Sequence, residues 1–152
     1  MTCGYSGPVV ITHKWASRRS MCMITKKRGT DMDDDIAQIV ATAHDYFDGY
    51  FDGDAARMER ALHRDLVKRS PGQDQAATLG FITAEQMINW TSEGEGRQVA
   101  AGLTDRTIEV EVLDVKNDIA SVLVRSEPYH EYLHLVRTRE GWKIANALYC
   151  RT

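Results

Sequence analysis

The residues best suited to proton transfer or hydrogen bonding are concentrated in one stretch, residues 128–150. They are His130, Tyr132, His134, Trp142, Asn146 and Tyr149. An imidazole, with an ordinary pKa of about 6.5, can accept or donate a proton at neutral pH. A phenol or a carboxamide can form a hydrogen bond with a substrate oxygen. The stretch is therefore a candidate site for acid–base chemistry or for binding a small polar molecule.

The same stretch has the pattern of a β-hairpin. Two runs of aromatic and aliphatic residues flank a polar tip at residues 139–141, and a short glycine-containing turn between such runs predicts two antiparallel strands. Because alternate residues of a strand point to the same face, Tyr132 shares a face with His134. Leu133 and Leu135 share the opposite face.

Each candidate also has a purely structural interpretation. His134 could be a core histidine that is hydrogen-bonded to a backbone group or to a tyrosine. Asn146 could pair with a buried neighbour such as Tyr132 or His63 instead of a ligand. His130 and His134 do not predict a metal site, because four residues along a strand separate them by about 13 Å. We expect neither a metal nor a cofactor.

Helical periodicity precedes these strands. Apolar residues recur at helical spacing from Ile36 to Phe51, after three aspartates at 33–35 that suit the start of a helix. A second helix is predicted over residues 55–62. Thr83 and Gln86 match a capping box, which predicts the start of a third helix that ends in the glycine-rich residues 92–96.

Two further strands are predicted between the third helix and the hairpin, over residues 107–116 and 119–126. Helices followed by a run of antiparallel strands predict the α+β class. We expect a curved, mostly antiparallel sheet wrapped around three N-terminal helices, with a conical cavity between the two layers. Such a cavity is the default place for a ligand.

Composition narrows the classes of partner. The 152 residues carry a net charge of −3, but residues 1–30 hold six basic and no acidic residues, and thirteen basic and twenty-two acidic residues follow. This acidic body argues against nucleic-acid binding. No apolar run reaches the roughly 20 residues that span a membrane. The three widely separated cysteines, Cys3, Cys22 and Cys150, predict reduced thiols and a cytoplasmic location.

The charge distribution divides the chain into two segments. Residues 1–31 lack a sustained helical or strand period and are expected to be a flexible extension, with a transit peptide as the alternative. Residues 32–152 are expected to form one domain.

Four local strings resemble a known family: DYFDGYFDGD at 45–54, LHRD at 62–65, EYLHLV at 131–136 and GWKIAN at 141–146. Together they resemble the putative lumazine-binding family of the nuclear transport factor 2-like superfamily, which includes SnoaL-like and ketosteroid isomerase-like proteins. The resemblance covers about residues 33–150. It implies the cystatin-like cone fold, a superfold that hosts enzymes, binders and dimerisation modules.

The resemblance also implies roles for individual residues. Ketosteroid isomerases combine a carboxylate base with an oxyanion hole made of a tyrosine and a protonated aspartic acid. Tyr46 falls at the tyrosine position. The base position falls near Ser70 and the second donor falls near His134, and neither residue is a carboxylic acid. Steroid isomerisation is therefore disfavoured.

The resemblance further implies that Tyr132 and His134 face the cavity, together with Asn146 from the last strand. Leu133 and Leu135 would then face outward and form a homodimer interface on the outer sheet face.

Three functions fit these expectations. The first is binding of a small hydrophobic, flat or aromatic ligand, without demonstrable catalysis. The second is an isomerase, dehydratase or polyketide-cyclase activity, in which His134 acts as acid or base and Tyr46 stabilises an enolate oxygen. The third is a dimerisation scaffold without a ligand. The residues expected to line the cavity are Tyr46, Tyr50, His63, Trp90, Tyr132, His134 and Asn146.

Overall fold

The structure is a computed structural model that describes residues 29–72 and 77–152. The elements are, in chain order, α1 Gly29–Asp52, α2 Ala55–Ala61, β1 Leu62–Pro71, β2 Leu79–Thr83, α3 Ala84–Glu93, α4 Glu95–Ala101, β3 Glu109–Lys116, β4 Ile119–Arg125, β5 Tyr129–Thr138 and β6 Gly141–Arg151. The sheet order is β2-β1-β6-β5-β4-β3. All neighbouring strands are antiparallel except β1 and β6, which are parallel. The predicted α+β class and the antiparallel run β3 to β6 are confirmed.

Helix α1 lies across the concave face of the sheet. Its buried residues Ile39, Ala43 and Phe47 recur every three or four positions, as an amphipathic helix requires. They pack in the same core cluster as Leu133 of β5 and Ile144 of β6. Burial of a side chain as large as Ile39 or Phe47 contributes about 1.5–3 kcal/mol to the stability of the fold. The apolar stripe of α1 is therefore what fixes the helix to the sheet.

Helix α1 starts at Gly29, so the predicted start at the aspartate run is wrong by about one turn. The last of those aspartates, Asp35, is instead buried, with 2% of its surface exposed. Its carboxylate accepts a hydrogen bond from Trp142 Nε1 at 3.3 Å and pairs with the Arg137 guanidinium. Asp35 therefore connects α1 to the β5–β6 hairpin.

The shorter helices show the expected local signals and one addition. Thr83 and Gln86 form both hydrogen bonds of the predicted capping box at the start of α3. Gly94 ends α3 with φ of 85°, a left-handed conformation that favours glycine. A fourth helix, α4, follows directly. Gly96 lets α4 pack closely against α1, because an added Cβ would lie 1.9 Å from the Tyr50 carbonyl oxygen.

The expected orientation of β5 is wrong. Leu133 and Leu135 are buried against the helices, whereas Tyr132 and His134 are exposed on the outer face. The physical reason is that burying two leucines is favourable, whereas a histidine and a tyrosine in the same layer would need polar partners there. Glu131 shares the inner face with the leucines.

The expected extension at residues 1–31 lies outside the described residues except for its last three positions. Among the described helices, none combines the length and the apolar character needed to cross a membrane.

Candidate functional site

A cavity of about 230 Å³ lies between α1, α3 and the concave face of the sheet. Helix α1 forms one wall, and strands β1, β5 and β6 form the opposite wall. Half of its twelve lining side chains are aromatic, and four are charged. The lining residues are Tyr46, Phe47, Tyr50, Lys68, Ile82, Met87, Trp90, Glu95, Tyr129, Glu131, Tyr149 and Arg151.

Three polar side chains meet in this cavity. The Lys68 ammonium lies 2.9 and 3.1 Å from the two carboxylate oxygens of Glu131. The Tyr46 hydroxyl donates to Glu131 Oε1 at 3.0 Å and also contacts Lys68 Nζ. We refer to Tyr46, Lys68 and Glu131 as the buried triad, because each has at most 6% of its surface exposed. Within the triad every member is hydrogen-bonded to the other two.

The local sequence explains why the triad points inward. On β1, Lys68 follows the buried Leu66 by two residues, and the period of a strand puts both on the inner face. On β5, Glu131 is two residues from Tyr129 and two from Leu133. All three side chains are buried and share the inner face. On α1, Tyr46 lies beside Phe47 in the buried stripe.

Burial changes the acidity of the tyrosines in the cavity. Burial and the adjacent Glu131 carboxylate raise the pKa of Tyr46 well above its usual value. Burial and a hydrogen bond to Tyr129 raise the pKa of Tyr50 as well. Burial also raises the pKa of Tyr129, although the positive charge of Arg151 opposes that shift. These phenols therefore remain protonated hydrogen-bond donors at neutral pH.

Aromatic rings enclose the Lys68 ammonium. Its Nζ lies 4.1 Å from the ring centre of Tyr149, 5.1 Å from that of Tyr46 and 6.0 Å from that of Tyr129. The Tyr129 and Tyr149 rings contact each other edge to face, with centres 5.8 Å apart. Such cation–π contacts are attractive, and more strongly so where water is excluded. The arrangement leaves flat aromatic surfaces next to a cluster of hydrogen-bonding groups.

The cavity is electrically balanced. Lys68 and Glu131 form one pair of opposite charges, and Glu95 and Arg151 add one acid and one base to the lining. A ligand with a net charge would disturb this balance, because an uncompensated charge in a water-poor site is costly. The site as built suits a neutral molecule.

Three of the expected lining residues, Tyr46, Tyr50 and Trp90, do line this cavity. Their roles in a site stay predictions. The other four residues lie elsewhere. His63 lines a separate surface depression between the start of β1, α3 and the β5–β6 hairpin tip.

Tyr132, His134 and Asn146 lie on the outer face, on the far side of the sheet from the cavity. His134 Nδ1 is 3.1 Å from Asn146 Nδ2, so the two residues pair with each other. A proton transfer by His134 to a ligand in the cavity is therefore ruled out by the sheet between them. The predicted joint action of His134 and Tyr46 is wrong for this reason.

Sequence reasoning missed Lys68, Glu131 and Tyr129, and it named Tyr149 among the polar residues of the hairpin without placing it in the cavity. A signal for Glu131 was present: Leu133 and Leu135 are the strongest apolar residues of their strand, and Glu131 shares their period. The signal for Lys68 is weaker, because a single lysine two residues after Leu66 is equally compatible with a short edge strand. Among the described residues, no group of three or more histidine, cysteine or acidic side chains could hold a metal ion.

A family model described as "Putative lumazine-binding" matches residues 34–150. A comparison with curated proteins finds no match.

Solved structures with the same fold come from several bacteria. A nuclear transport factor 2-like protein of unknown function from Silicibacter pomeroyi is 18% identical, covers 80% of this chain and 98% of its own, and has a TM-score of 0.64. A similar protein of unknown function from Shewanella baltica is 11% identical, with 79% and 95% coverage and a TM-score of 0.58. A ketosteroid isomerase-like protein from Erwinia carotovora atroseptica is 18% identical, with 78% and 97% coverage and a TM-score of 0.53. At these identities the likeness concerns the fold alone.

Proposed function

Because the chain belongs to the putative lumazine-binding family of nuclear transport factor 2-like proteins, we propose that its cone cavity binds a small, neutral, planar ring molecule. The observation that carries this proposal is the buried triad at the wall of an aromatic cavity. The triad offers hydrogen-bond donors and an acceptor side by side, next to flat ring surfaces.

The size of the cavity limits the ligand. Its volume of about 230 Å³ is below the range of about 300–1,000 Å³ that is typical for drug-sized ligands. One or two fused rings therefore suit the space better than a four-ring steroid. Rings of this size can stack against Tyr149 or Trp90.

The polar groups of the triad define the edge of the ligand. Lys68 Nζ and the Tyr46 hydroxyl donate hydrogen bonds, and both now donate to Glu131. A ligand edge that carries a carbonyl oxygen beside an N–H group could accept from Lys68 and donate to Glu131 at once. Such an edge replaces the bonds that it breaks, which a hydrocarbon cannot do.

Lumazine, which the family's description names, is a fused two-ring molecule with carbonyl and N–H groups along one ring. It is therefore a suitable first probe. We expect lumazine to bind measurably by titration calorimetry, and planar but anionic benzoate to bind at least about tenfold more weakly because of its net charge.

Two variants separate the cavity from the outer face. Tyr46→Phe removes one donor while the Lys68–Glu131 pair remains, and it should weaken lumazine binding by about fivefold, the equivalent of about 1 kcal/mol. His134→Ala on the outer face should leave the affinity unchanged. Failure of every neutral ring to bind, or an equal loss in the two variants, would contradict the proposal.

We also propose that a second copy of the chain covers the outer face, although not through Leu133 and Leu135, which are buried. One cross-strand row runs over all six strands on that face. It consists of Glu111, Leu123, Tyr132, Leu148, Arg69 and Phe81. Tyr132 and Leu148 are direct neighbours in this row, Phe81 lies beyond Arg69, and each of the three is about half exposed. Large apolar side chains exposed close together often mark an interaction surface.

Glu111 is at one end of the row, and Arg69 lies near the other end, next to Phe81. A twofold axis parallel to the central strands would set Glu111 of one copy opposite Arg69 of the other, with Leu123, Tyr132 and Leu148 between them. Leu148→Glu should therefore convert a dimer to a monomer in analytical ultracentrifugation, whereas Leu113→Glu outside this row should not. A wild-type chain that is monomeric at 100 µM, a concentration chosen to be about tenfold above a weak Kd of 10 µM, would contradict this proposal.

A further inference from the structure

Lys68 is not explained by stability. Replacing a buried ion pair with apolar residues of similar volume is often neutral or stabilising, so the core would not need a lysine here. The side chain nevertheless ends in the cavity, with its ammonium beside the Glu131 carboxylate and the Tyr46 hydroxyl. A primary amine, a carboxylate and a phenol within hydrogen-bond distance form a set of groups that can do carbonyl chemistry.

We propose that Lys68 reacts reversibly with an aldehyde or ketone in the cavity and holds it as a protonated imine. The inference rests on the proposed function, because the carbonyl compound must enter the same cavity. It narrows the ligand class to small, neutral, planar molecules with a reactive carbonyl group.

The reaction balances with the groups present. The Lys68 ammonium first gives a proton to Glu131, and the free amine attacks the carbonyl carbon, so that a C–N bond forms and the C=O π pair moves to oxygen. The Tyr46 hydroxyl gives a proton to this oxygen and recovers one from the nitrogen, which yields a neutral carbinolamine. Glu131 then returns its proton to the hydroxyl group, the C–O bond breaks, and water leaves. One ammonium and one carbonyl group become one iminium ion and one water.

The charges of the site suit both the starting ammonium and the iminium product. The Lys68 nitrogen is positive before and after the reaction, and in both states the Glu131 carboxylate, 2.9 Å from it in the structure, is its counter-ion. The raised pKa of Tyr46 keeps its hydroxyl protonated and able to return to that form after each transfer. The enclosing rings of Tyr149 and Tyr129 stabilise an iminium cation as they stabilise the ammonium.

Reductive trapping tests the inference directly. The full chain is incubated with benzaldehyde, a small, neutral and planar aldehyde, and then with sodium cyanoborohydride, and the adduct is located by intact mass and peptide mapping. We expect one adduct per chain on Lys68, formed at least about tenfold faster than on Lys116, an exposed lysine of β3.

Substitutions test the role of each reacting group. Lys68→Arg keeps a cation beside Glu131 but has no primary amine, so the fast adduct should disappear. Tyr46→Phe retains the amine and should slow trapping by about a hundredfold, the lower end of what a positioned acid or base contributes. Lys116→Met should trap at the wild-type rate on Lys68.

The outcomes separate this inference from the proposed function. Adducts spread over exposed lysines with Lys68 unlabelled would overturn the imine while lumazine binding, measured on the same preparation, leaves the proposed function standing. Absence of both trapping and lumazine binding would overturn both. A Tyr46→Phe variant that traps at the wild-type rate would remove Tyr46 from the reaction and overturn the assigned proton path.

Discussion

Lys68 and Glu131 lie on strands that are not neighbours, yet Lys68 Nζ reaches both carboxylate oxygens, at 2.9 and 3.1 Å. Strand β6 runs between β1 and β5, and the residue of β6 in register with Lys68 is Ala147. Ala147 is also in register with Leu133 of β5. Because alanine has a single methyl group, the lysine side chain can cross over β6 and reach the carboxylate. The triad therefore depends on a small residue that takes no part in its chemistry.

This crossing makes Ala147 a test of the site. Ala147→Leu should fill the path of the Lys68 side chain and weaken lumazine binding by at least about tenfold, because the amine can no longer reach Glu131. Ala145→Leu, at a less buried position on the same strand, is the matched control. Calorimetry gives the affinities, and circular dichroism checks that both variants are folded. Equal affinities in the two variants would show that the crossing is not required.

Removing one partner of the Lys68–Glu131 ion pair should destabilise the domain more than removing both partners. Lys68→Met leaves Glu131 buried without its cation, and we expect a loss of about 3–5 kcal/mol in the free energy of unfolding by urea. The double variant Lys68→Met/Glu131→Leu should recover most of that loss, because neither charge remains in the core. Lys116→Met provides the exposed control. A double variant as unstable as the single one would contradict this account.

Stability should fall above pH 10. The folded pKa values of Tyr46, Tyr50 and Tyr129 are raised, so the unfolded chain loses these protons first, near the usual tyrosine pKa of about 10. Their contribution is complete below that pH and is lost as pH rises towards the folded pKa values. Tyr46→Phe should reduce the slope of unfolding free energy against pH by up to about 1.4 kcal/mol per pH unit. Parallel curves for the wild type and the variant between pH 10 and 11 would argue against the raised pKa.

Gly96 should not tolerate even alanine. The added Cβ would lie 1.9 Å from the Tyr50 carbonyl oxygen, so α4 would have to move away from α1. We expect Gly96→Ala to cost about 3 kcal/mol in urea unfolding, and to weaken lumazine binding because Tyr50 lines the cavity. Gly102→Ala is the control, since the nearest atom to its added Cβ is 3.5 Å away. A Gly96→Ala protein as stable as Gly102→Ala would show that the two helices can separate freely.

Asp35 should matter for stability and not for ligand binding. Asp35→Ala removes the acceptor of Trp142 Nε1 and leaves the partly buried Arg137 guanidinium without this carboxylate. We expect a loss of about 3 kcal/mol in the free energy of unfolding. The exposed Asp34→Ala should change stability by less than about 0.5 kcal/mol. Lumazine affinity measured well below the melting temperature should be unchanged in both, because neither residue lines the cavity.

Much of the fold could be predicted from local patterns. The capping box at Thr83 and Gln86 involves residues three apart, so the sequence alone contains both partners. The stripe through Ile39, Ala43 and Phe47 predicts an amphipathic α1 on the same grounds. Tyr46, Tyr50 and Trp90 line the cavity as expected, because each lies near the apolar face of its own helix.

The site could be predicted only in part, because period two shows which residues of a strand share a face but not which face is buried. For β5 the sequence by itself determined that Glu131 accompanies Leu133 and that His134 accompanies Tyr132. Only the tertiary structure decided that the leucine face meets the helices. Only the strand order, with β6 between β1 and β5, brought Lys68 to Glu131, since residues 63 positions apart meet through the packing of the whole sheet and through no local rule.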